Sequence, residues 1–249
     1  NISKEVINAF KDMKVNSGLK GLVLDLRGNP GGLLNEAISM ANIFIDRGQE
    51  IVYTKGKNKD WDKSYKARYE AIDTDIPLAV LINRSSASAS EIVSGAIQDL
   101  DRGVVIGQRS FGKGLVQQTR KLSYNAQMKV TTAKYYIPSG RCIQALDYSN
   151  RDDDGSVGIV PDSLRTEFKT LNNKRSVFDG GGITPDISIE PDKFSNILKS
   201  LLSKRHIFNF ANIYKRNNES IVDAKSFLIS DDIYSEFKQY LDDKDYEYE

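Results

Sequence analysis

Short apolar runs alternate with helically spaced apolar positions along the first half of the chain. Runs rich in Leu, Val and Ile, or in branched and aromatic residues, predict strands over residues 20–26, 50–54, 77–82, 103–106 and 128–137. Apolar residues three and four positions apart predict helices over residues 3–14, 33–45 and 92–100. Because strands and helices alternate from residue 20 to residue 107, we expect an α/β layered core with parallel strand pairing.

The pattern changes in the second half of the chain. Residues 148–180 are polar, with the sharpest loop signal at residues 151–155, and helical spacing returns at residues 194–202. Residues 231–249 contain eight acidic and two basic side chains. We therefore expect two domains, a catalytic-type core over residues 1–191 and a mostly helical appendage over residues 192–249.

The charge balance and the rarest residues exclude several classes of protein. Thirty-five Lys and Arg against 34 Asp and Glu leave no basic surface for nucleic acid. No apolar run approaches the roughly 18 residues of a membrane span. With Cys142 as the one cysteine and His206 as the one histidine, the chain can form no internal disulfide and no Cys/His zinc cluster.

A run of serines joins the strand at residues 77–82 to the following helix. Residues 83–91 read N-R-S-S-A-S-A-S-E. A serine on such a turn presents its hydroxyl beside the amides of a helix N-terminus, which suits a nucleophile whose adduct carries an oxyanion. The alternative is structural, because Ser88 and Glu91 match the S-x-x-E capping box. On this segment alone, helix capping is the favoured interpretation.

Two glycine-rich turns follow other predicted strands. Residues 107–114 (G-Q-R-S-F-G-K-G) nearly match the phosphate-binding loop G-x-x-x-x-G-K-[ST], but Gly114 replaces the hydroxyl that would hold Mg²⁺. Lys113 is thus either a lysine packed closely between glycines or an ordinary surface lysine in a turn. Gly31 and Gly32 could donate amides to an anion, or could simply connect a strand to a helix.

The remaining candidates concern metals and histidine. Residues 150–155 (N-R-D-D-D-G) are similar to the start of a calcium loop, but its twelfth position would be Pro161, so we interpret a solvated loop. His206 lies far along the chain from the serines. If Ser88 is a nucleophile, its base is therefore expected to be a lysine of lowered pKa, and Lys113 is the natural candidate.

Taken together, these segments resemble the C-terminal processing peptidases, or tail-specific proteases, of serine peptidase family S41. The resemblance covers roughly residues 18–190. It includes L-D-L-R-G-N-P-G-G at residues 24–32, S-A-S-A-S-E at 86–91, F-G-K-G at 111–114 and G-I-T-P-D at 182–186. The serine and lysine motifs in this order form a specific signature, which outweighs the structural alternatives for each motif alone.

The resemblance implies a role for each candidate residue. Ser88 matches the family nucleophile and Lys113 the general base, while Gln117 matches a residue that orients the lysine in some members. Ala89 and Gly32 match the backbone donors of the oxyanion hole. The implied reaction is acyl transfer through an acyl-enzyme, with no metal and no organic cofactor.

The resemblance also implies a setting. It predicts a ClpP/crotonase-like core and an endopeptidase that processes or degrades proteins with exposed C-termini, in the periplasm or cell envelope. A homo-oligomer is a further expectation. Asp99 matches an acidic position of the family. We interpret the chain as a fragment without the PDZ-like domain that the family normally carries. The alternatives are a catalytically silent peptide- or ligand-binding module and, from residues 107–114, a nucleotide-binding protein.

Overall fold

A computed structural model describes residues 2–16, 18–151, 153–191, 193–218, 220–223 and 225–248. The chain divides into two compact units, Asn1–Glu190 and Pro191–Glu249. The strands are β1 (Leu22–Asp25), β2 (Glu50–Gly56), β3 (Lys63–Lys66), β4 (Leu78–Ile82), β5 (Val104–Gly107), β6 (Leu115–Lys121), β7 (Gln127–Tyr136), β8 (Leu146–Arg151), β9 (Val157–Ile159), β10 (Glu167–Lys169), β11 (Ser176–Phe178) and β12 (Ile187–Ser188). The helices are α1 (Ile2–Asn16), α2 (Leu34–Ala41), α3 (Ala89–Asp99), α4 (Asn196–Ser203), α5 (His206–Asn217) and α6 (Asp231–Leu241).

A parallel sheet forms the centre of the first unit. Its strand order is β1-β4-β5-β12, and β1 pairs with β4 from Leu22 opposite Leu78 to Asp25 opposite Leu81. Helices α2 and α3 pack together, and the core is built from side chains such as Phe44, Ile82 and Ile97, which are all fully buried. The expected α/β core with parallel pairing is confirmed.

Helix α3 lies in the middle of this core, because every residue from 90 to 99 is buried. Its small residues allow close packing on neighbouring elements. A Cβ at Gly95 would lie 2.7 Å from Cδ1 of Ile137 and 2.9 Å from Cδ1 of Ile183. The helix therefore holds its first residues, which are the last residues of the serine run, in a fixed place.

A second, antiparallel sheet has the order β3-β2-β7-β6 and leaves β6 at an edge. The apolar pattern predicted no strand over residues 115–121. Their polar side chains are mostly exposed and show no alternation, so the strand depends on pairing with β7 along its whole length.

Helix α2 is shorter than the predicted 33–45, because buried Asn42 turns the chain. The side-chain NH₂ group of Asn42 donates to the carbonyl oxygens of Ile45 and Tyr69. The side-chain oxygen of Asn42 accepts the backbone N–H groups of Arg68 and Tyr69. These four bonds hold the segment in which the chain leaves the helix through backbone turns.

The second unit contains α4, α5 and α6, so the expected C-terminal helices are confirmed. It is held by an aromatic cluster with ring centroids 5.1–6.4 Å apart, formed by Phe210, Tyr214, Phe227, Phe237 and Tyr240. Among the helices that the structure describes, none is long and apolar enough to cross a membrane.

Candidate active site

Three loops converge at the carboxyl edge of the parallel sheet. They follow the neighbouring strands β1, β4 and β5, and we name them the glycine loop (residues 28–33), the serine loop (83–88) and the lysine loop (108–114). Loops that leave adjacent parallel strands at their carboxyl ends meet at one place, which is where α/β sheets bind ligands. The candidate residues from three separate motifs are brought together for this reason.

Hydrogen bonds join the three loops to one another. The carbonyl oxygen of Asn29 accepts the Ala87 N–H and the Ser90 hydroxyl, each at 3.0 Å. The Ser86 carbonyl oxygen accepts the Phe111 N–H at 3.0 Å. The serine loop is thus fixed between its two neighbours by backbone groups.

Ser88 occupies a sharp turn between β4 and α3. Its φ of 55° and ψ of −113° lie in a region that disfavours every residue with a side chain. Gly31 lies directly behind this turn, with φ of 88°, and a Cβ there would come within 2.7 Å of the Ala89 nitrogen. A glycine is needed at position 31 because the two loops approach so closely.

Glu91 is the residue whose role sequence reasoning missed. It is completely buried, and its carboxylate accepts four hydrogen bonds. One oxygen, Oε2, accepts the N–H groups of Ser88 and Lys113, each at 2.8 Å. The other, Oε1, accepts the Gly112 N–H at 2.7 Å and the Ser110 hydroxyl at 2.5 Å. One carboxylate therefore joins the turn of the predicted nucleophile to the loop of the predicted base.

The electrostatics of Glu91 reflect this position. Burial raises the pKa of its carboxyl above the ordinary value, and the hydrogen bonds from Ser110, Lys113, Gly112 and Ser88 oppose that rise. The capping-box pattern identified Glu91, and the expected hydrogen bond from the Ser88 N–H to its side chain is present. The pattern gave no sign of the three other donors.

Ser110 and Gly182 complete the packing around this carboxylate. The Ser110 hydroxyl donates to Glu91 and accepts the Ile183 N–H at 2.7 Å. A Cβ at Gly182 would lie 2.6 Å from Ser110 Oγ and 3.0 Å from Glu91 Oε1. The G-I-T-P-D segment thus closes the site from the side of β12.

The two backbone amides predicted to hold an oxyanion belong to Ala89 and Gly32, which line the same pocket. Within the described residues, neither the Ala89 N–H nor the Gly32 N–H donates to a protein acceptor. Ala89 begins α3, so its amide is one of the donors that a helix leaves unsatisfied. A Cβ at Gly32 would meet open space, unlike one at Gly31.

Lys113 lies between two glycines that pack tightly. A Cβ at Gly112 would overlap Ala145, and one at Gly114 would lie 2.5 Å from the Gln144 nitrogen. The side chain of Lys113 is exposed, and in the part of the chain that the structure describes no hydrogen bond joins it to the Ser88 hydroxyl.

The phosphate-loop alternative is wrong for this segment. Strand β6 follows the loop where a phosphate-binding loop is followed by a helix. The amides of Gly112 and Lys113 donate to Glu91, and that of Gly114 donates to Gln144 at 2.8 Å. These donors are therefore occupied and do not form a cradle for an anion.

The other residues singled out by the sequence lie outside the three loops. Gln117 is exposed on β6, opposite Thr131 at an irregularity of the strand pairing. Asp99, at the far end of α3 from Ser88, forms a completely buried ion pair of 2.8 Å with Arg141. His206 belongs to the second unit, where its Nε2 lies 3.0 Å from the Asp245 carbonyl oxygen.

The calcium-like loop includes Asp152, which lies outside the described residues. Among the residues that are described, no group of three or more His, Cys, Asp or Glu side chains could hold a metal ion.

Two pockets flank the site and share no lining residue. The apolar pocket, of about 380 Å³, is lined by Gly31, Gly32 and Ala89 together with side chains of α2 and α3. The larger groove, of about 670 Å³, is lined by Leu115 and Gln117 together with parts of β2 and β7.

Comparison with known proteins gives matches to family models and to solved structures. The model of "Peptidase family S41" matches residues 1–165, and that of "Probable PDZ-protease, C-terminal helical domain" matches residues 197–249. Among solved structures, the photosystem II D1 C-terminal processing protease superposes with a TM-score of 0.57 and 30% identity. That match covers 79% of this chain and 41% of the other.

Curated relatives come from bacteria. A carboxy-terminal-processing protease of Bartonella bacilliformis is 47% identical over 144 residues, which are 58% of this chain and 30% of the relative. A probable CtpA-like serine protease of Staphylococcus saprophyticus is 40% identical over 175 residues, 69% of this chain and 32% of the relative. The chain thus spans about a third of the length of these relatives. Since the family model covers well over half of it, the chain belongs to peptidase family S41.

Proposed function

We propose that this chain is the catalytic core of a serine endopeptidase that processes proteins near their C-termini. One observation carries the proposal, namely that a single oxygen of Glu91 accepts the backbone N–H groups of both Ser88 and Lys113. The two nitrogens are therefore no more than about 5.6 Å (twice 2.8 Å) apart. A lysine side chain is long enough to span such a distance, which supports Lys113 as the base that serves Ser88.

The proposed reaction begins when the Ser88 hydroxyl attacks a peptide carbonyl carbon and neutral Lys113 takes its proton. The amides of Ala89 and Gly32 hold the oxyanion of the tetrahedral intermediate. Protonated Lys113 then gives its proton to the leaving amine, and the peptide bond breaks. Water, activated by Lys113, releases the acyl group and restores Ser88.

In this proposal, substrate binding also removes water from around the Lys113 side chain. Lys113 is exposed in the structure, so water surrounds its side chain before a substrate binds. A bound peptide would displace this water from the lysine loop and bring the reacting carbonyl next to the amine. Gln117, four residues further along β6, would then orient the amine.

Proteins or peptides with exposed C-termini are the proposed substrates. The names of the relatives support this class, since they are carboxy-terminal-processing and CtpA-like proteases. The resemblance also supports a periplasmic or envelope location and possible self-association.

The test is cleavage of an unstructured protein by the wild-type chain and by Ser88→Ala and Lys113→Ala. Each substitution should lower kcat/KM by at least about 1,000-fold while circular dichroism shows the fold retained. His206→Ala is the matched control and should keep wild-type turnover.

A fluorophosphonate probe tests the nucleophile without any need for substrate recognition. Mass spectrometry should locate the label on Ser88, and Lys113→Ala should slow the labelling. Undiminished proteolysis by Ser88→Ala would refute the assignment. A wild-type protein that neither cleaves nor labels would instead favour a catalytically silent binding module.

A further inference from the structure

The larger groove beside the site is strongly cationic. Four basic side chains line it, and none of the described residues along its wall carries a carboxylate. The four are Lys55, Lys57, Lys134 and Arg151. Since the whole chain has a formal charge of only +1, this concentration of positive charge is local.

Strand pairing places two of these lysines face to face. Lys55 of β2 lies directly opposite Lys134 of β7, and Leu115 of β6 lies opposite Lys134 on its other side. Like charges directly opposite each other on antiparallel strands repel and destabilise the pair. An anion in the groove would remove this repulsion.

No acidic side chain provides that anion within the described ranges, because none of the four basic groups forms an ion pair there. The Nζ atom of Lys55 lies instead 5.0 Å and 5.5 Å from the ring centres of Tyr53 and Tyr136. The Arg151 guanidinium lies 5.6 Å from the ring centre of Tyr148 and donates to the Gly155 carbonyl oxygen. Lys55 and Arg151 are thus placed against aromatic rings, and within the described ranges neither has an acidic partner.

The groove adjoins the lysine loop. Leu115 and Gln117, which line it, follow Lys113 by two and four residues, and lining residue Gln144 accepts the Gly114 N–H. In the proposed reaction Lys113 protonates the leaving amine. The segment beyond the cleaved bond therefore leaves the site past Lys113, towards this groove. The apolar pocket adjoins the oxyanion donors Ala89 and Gly32 instead.

We propose that this groove is a specificity subsite that binds a carboxylate of the leaving segment, on the C-terminal side of the cleaved bond. The inference rests on the proposed function, which makes Lys113 the donor to the leaving amine. The carboxylate has two possible sources, the free C-terminus of the substrate or an Asp or Glu side chain near it. The groove's volume of about 670 Å³ lies within the range of ligand sites, roughly 300–1,000 Å³.

Four matched peptides with one cleavage site distinguish the two sources. They combine Glu or Gln in the leaving segment with a free or an amidated C-terminus. One exposed ion pair should raise kcat/KM roughly two- to fivefold. The preference should shrink when the salt concentration rises from about 20 mM to about 300 mM, because exposed charges are screened. Equal rates for all four peptides would overturn the inference.

Charge reversal provides the sharper test. Lys134→Glu should abolish or invert the preference for the carboxylate, and a peptide with Lys in the leaving segment should then be cut faster than the Glu peptide. The matched control is Lys129→Glu, on the same strand but outside the groove, which should keep the wild-type preference. An equal change in both variants would show that overall charge, and no local subsite, sets the preference.

Binding separates failure of this inference from failure of the proposed function. Fluorescence anisotropy with the Ser88→Ala protein measures the Kd of each labelled peptide without cleavage. The carboxylate peptides should bind roughly two- to fivefold more tightly, and Lys134→Glu in the same background should remove that advantage. If this is seen without proteolysis by the wild-type chain, the groove binds carboxylates but the proposed function is wrong. Proteolysis without any difference in Kd or kcat/KM refutes the groove alone.

Discussion

The carboxylate of Glu91 joins the serine loop to the lysine loop through the hydrogen bonds that it accepts. Replacing Glu91 by glutamine removes one of its two acceptor oxygens. The side chain keeps its size, so no cavity forms. The change acts on the four donors that the carboxylate accepts, of which three are backbone N–H groups. An amide has one oxygen and one NH₂ group, so it cannot accept at both ends.

The least costly orientation leaves the amide oxygen where Oε2 lies, on the N–H groups of Ser88 and Lys113. The NH₂ group then faces the Gly112 N–H and the Ser110 hydroxyl. Gly112 thereby loses its acceptor, and a buried unsatisfied donor costs about 1–3 kcal/mol. The remaining bonds lose the assistance of a charge, while the cost of burying that charge disappears. We expect the free energy of unfolding to fall by about 2 kcal/mol.

The effect on catalysis should exceed the effect on stability. A displacement of about 1 Å in a reacting group costs roughly 100-fold in rate. Since Glu91 joins the backbone of both predicted catalytic residues, we expect kcat/KM of Glu91→Gln to fall by about that factor, mainly through kcat. Peptide cleavage well below the melting temperature measures this loss separately from unfolding.

Urea denaturation, followed by the fluorescence of the single tryptophan, Trp61, measures the stability change. Glu190→Gln is the control, because that carboxylate is exposed in the same unit. Wild-type stability and activity in Glu91→Gln would refute the reasoning, as would equal losses in Glu91→Gln and Glu190→Gln. The hydrogen bonds of Glu91 would then contribute nothing to the site.

The pH dependence of stability follows from the raised pKa of Glu91. Between the ordinary value of 4.5 and the raised native value, the folded protein keeps a proton that the unfolded chain has lost. The contribution of this group to stability therefore decreases as the pH rises through that interval. Glu91→Gln lacks the titration, so its stability deficit relative to wild type should be smaller at pH 7 than at pH 4 in urea titrations.

Three further substitutions test other parts of the fold. Asp99→Ala should lower the free energy of unfolding by about 3–5 kcal/mol, because it leaves the buried Arg141 unpaired, and kcat measured on the folded fraction should stay near wild type if Asp99 is only structural. Gly31→Ala should reduce both stability and kcat, because its Cβ would lie 2.5 Å from a carbonyl oxygen of the serine loop; unchanged turnover would contradict the packing. The hydrogen bond from Lys14 is the largest of the causes that lower the pKa of Asp73 to about 2. The stabilisation of the fold by ionised Asp73 is therefore fully present above pH 3.8 and is lost as the pH falls through 2. Asp73→Asn should therefore cost about 1–2 kcal/mol in denaturation at pH 7 and little near pH 2.

The parts of the fold that could be predicted from the sequence depend on local patterns. Strands β1, β4 and β5 appear as continuous apolar runs, although Val23 of the edge strand β1 is exposed, and glycine or serine turns mark their carboxyl ends. These patterns also located the three loops of the candidate site. The roles of Ser88, Lys113, Gln117 and the two amide donors came from the family resemblance and stay predictions.

The parts that could not be predicted depend on contacts between distant residues. The capping box accounts for Glu91 locally, so nothing in the sequence indicated its bonds to Ser110 and Gly112, about 20 positions away. Strand β6 carries mostly exposed side chains and shows no period of two. Lys55 and Lys134 lie almost 80 residues apart, and only the pairing of β2 with β7 brings them together.

The backbone of Ser88 has a consequence for how this position can evolve. Its φ of 55° and ψ of −113° cost a residue with a side chain about 1–3 kcal/mol, and glycine escapes that penalty. The substitution that best relieves the strain would also delete the hydroxyl on which the proposed chemistry depends. A library at position 88 selected only for thermal resistance should therefore become enriched in glycine. A library selected for proteolysis should retain serine, so the two populations would diverge at this one codon.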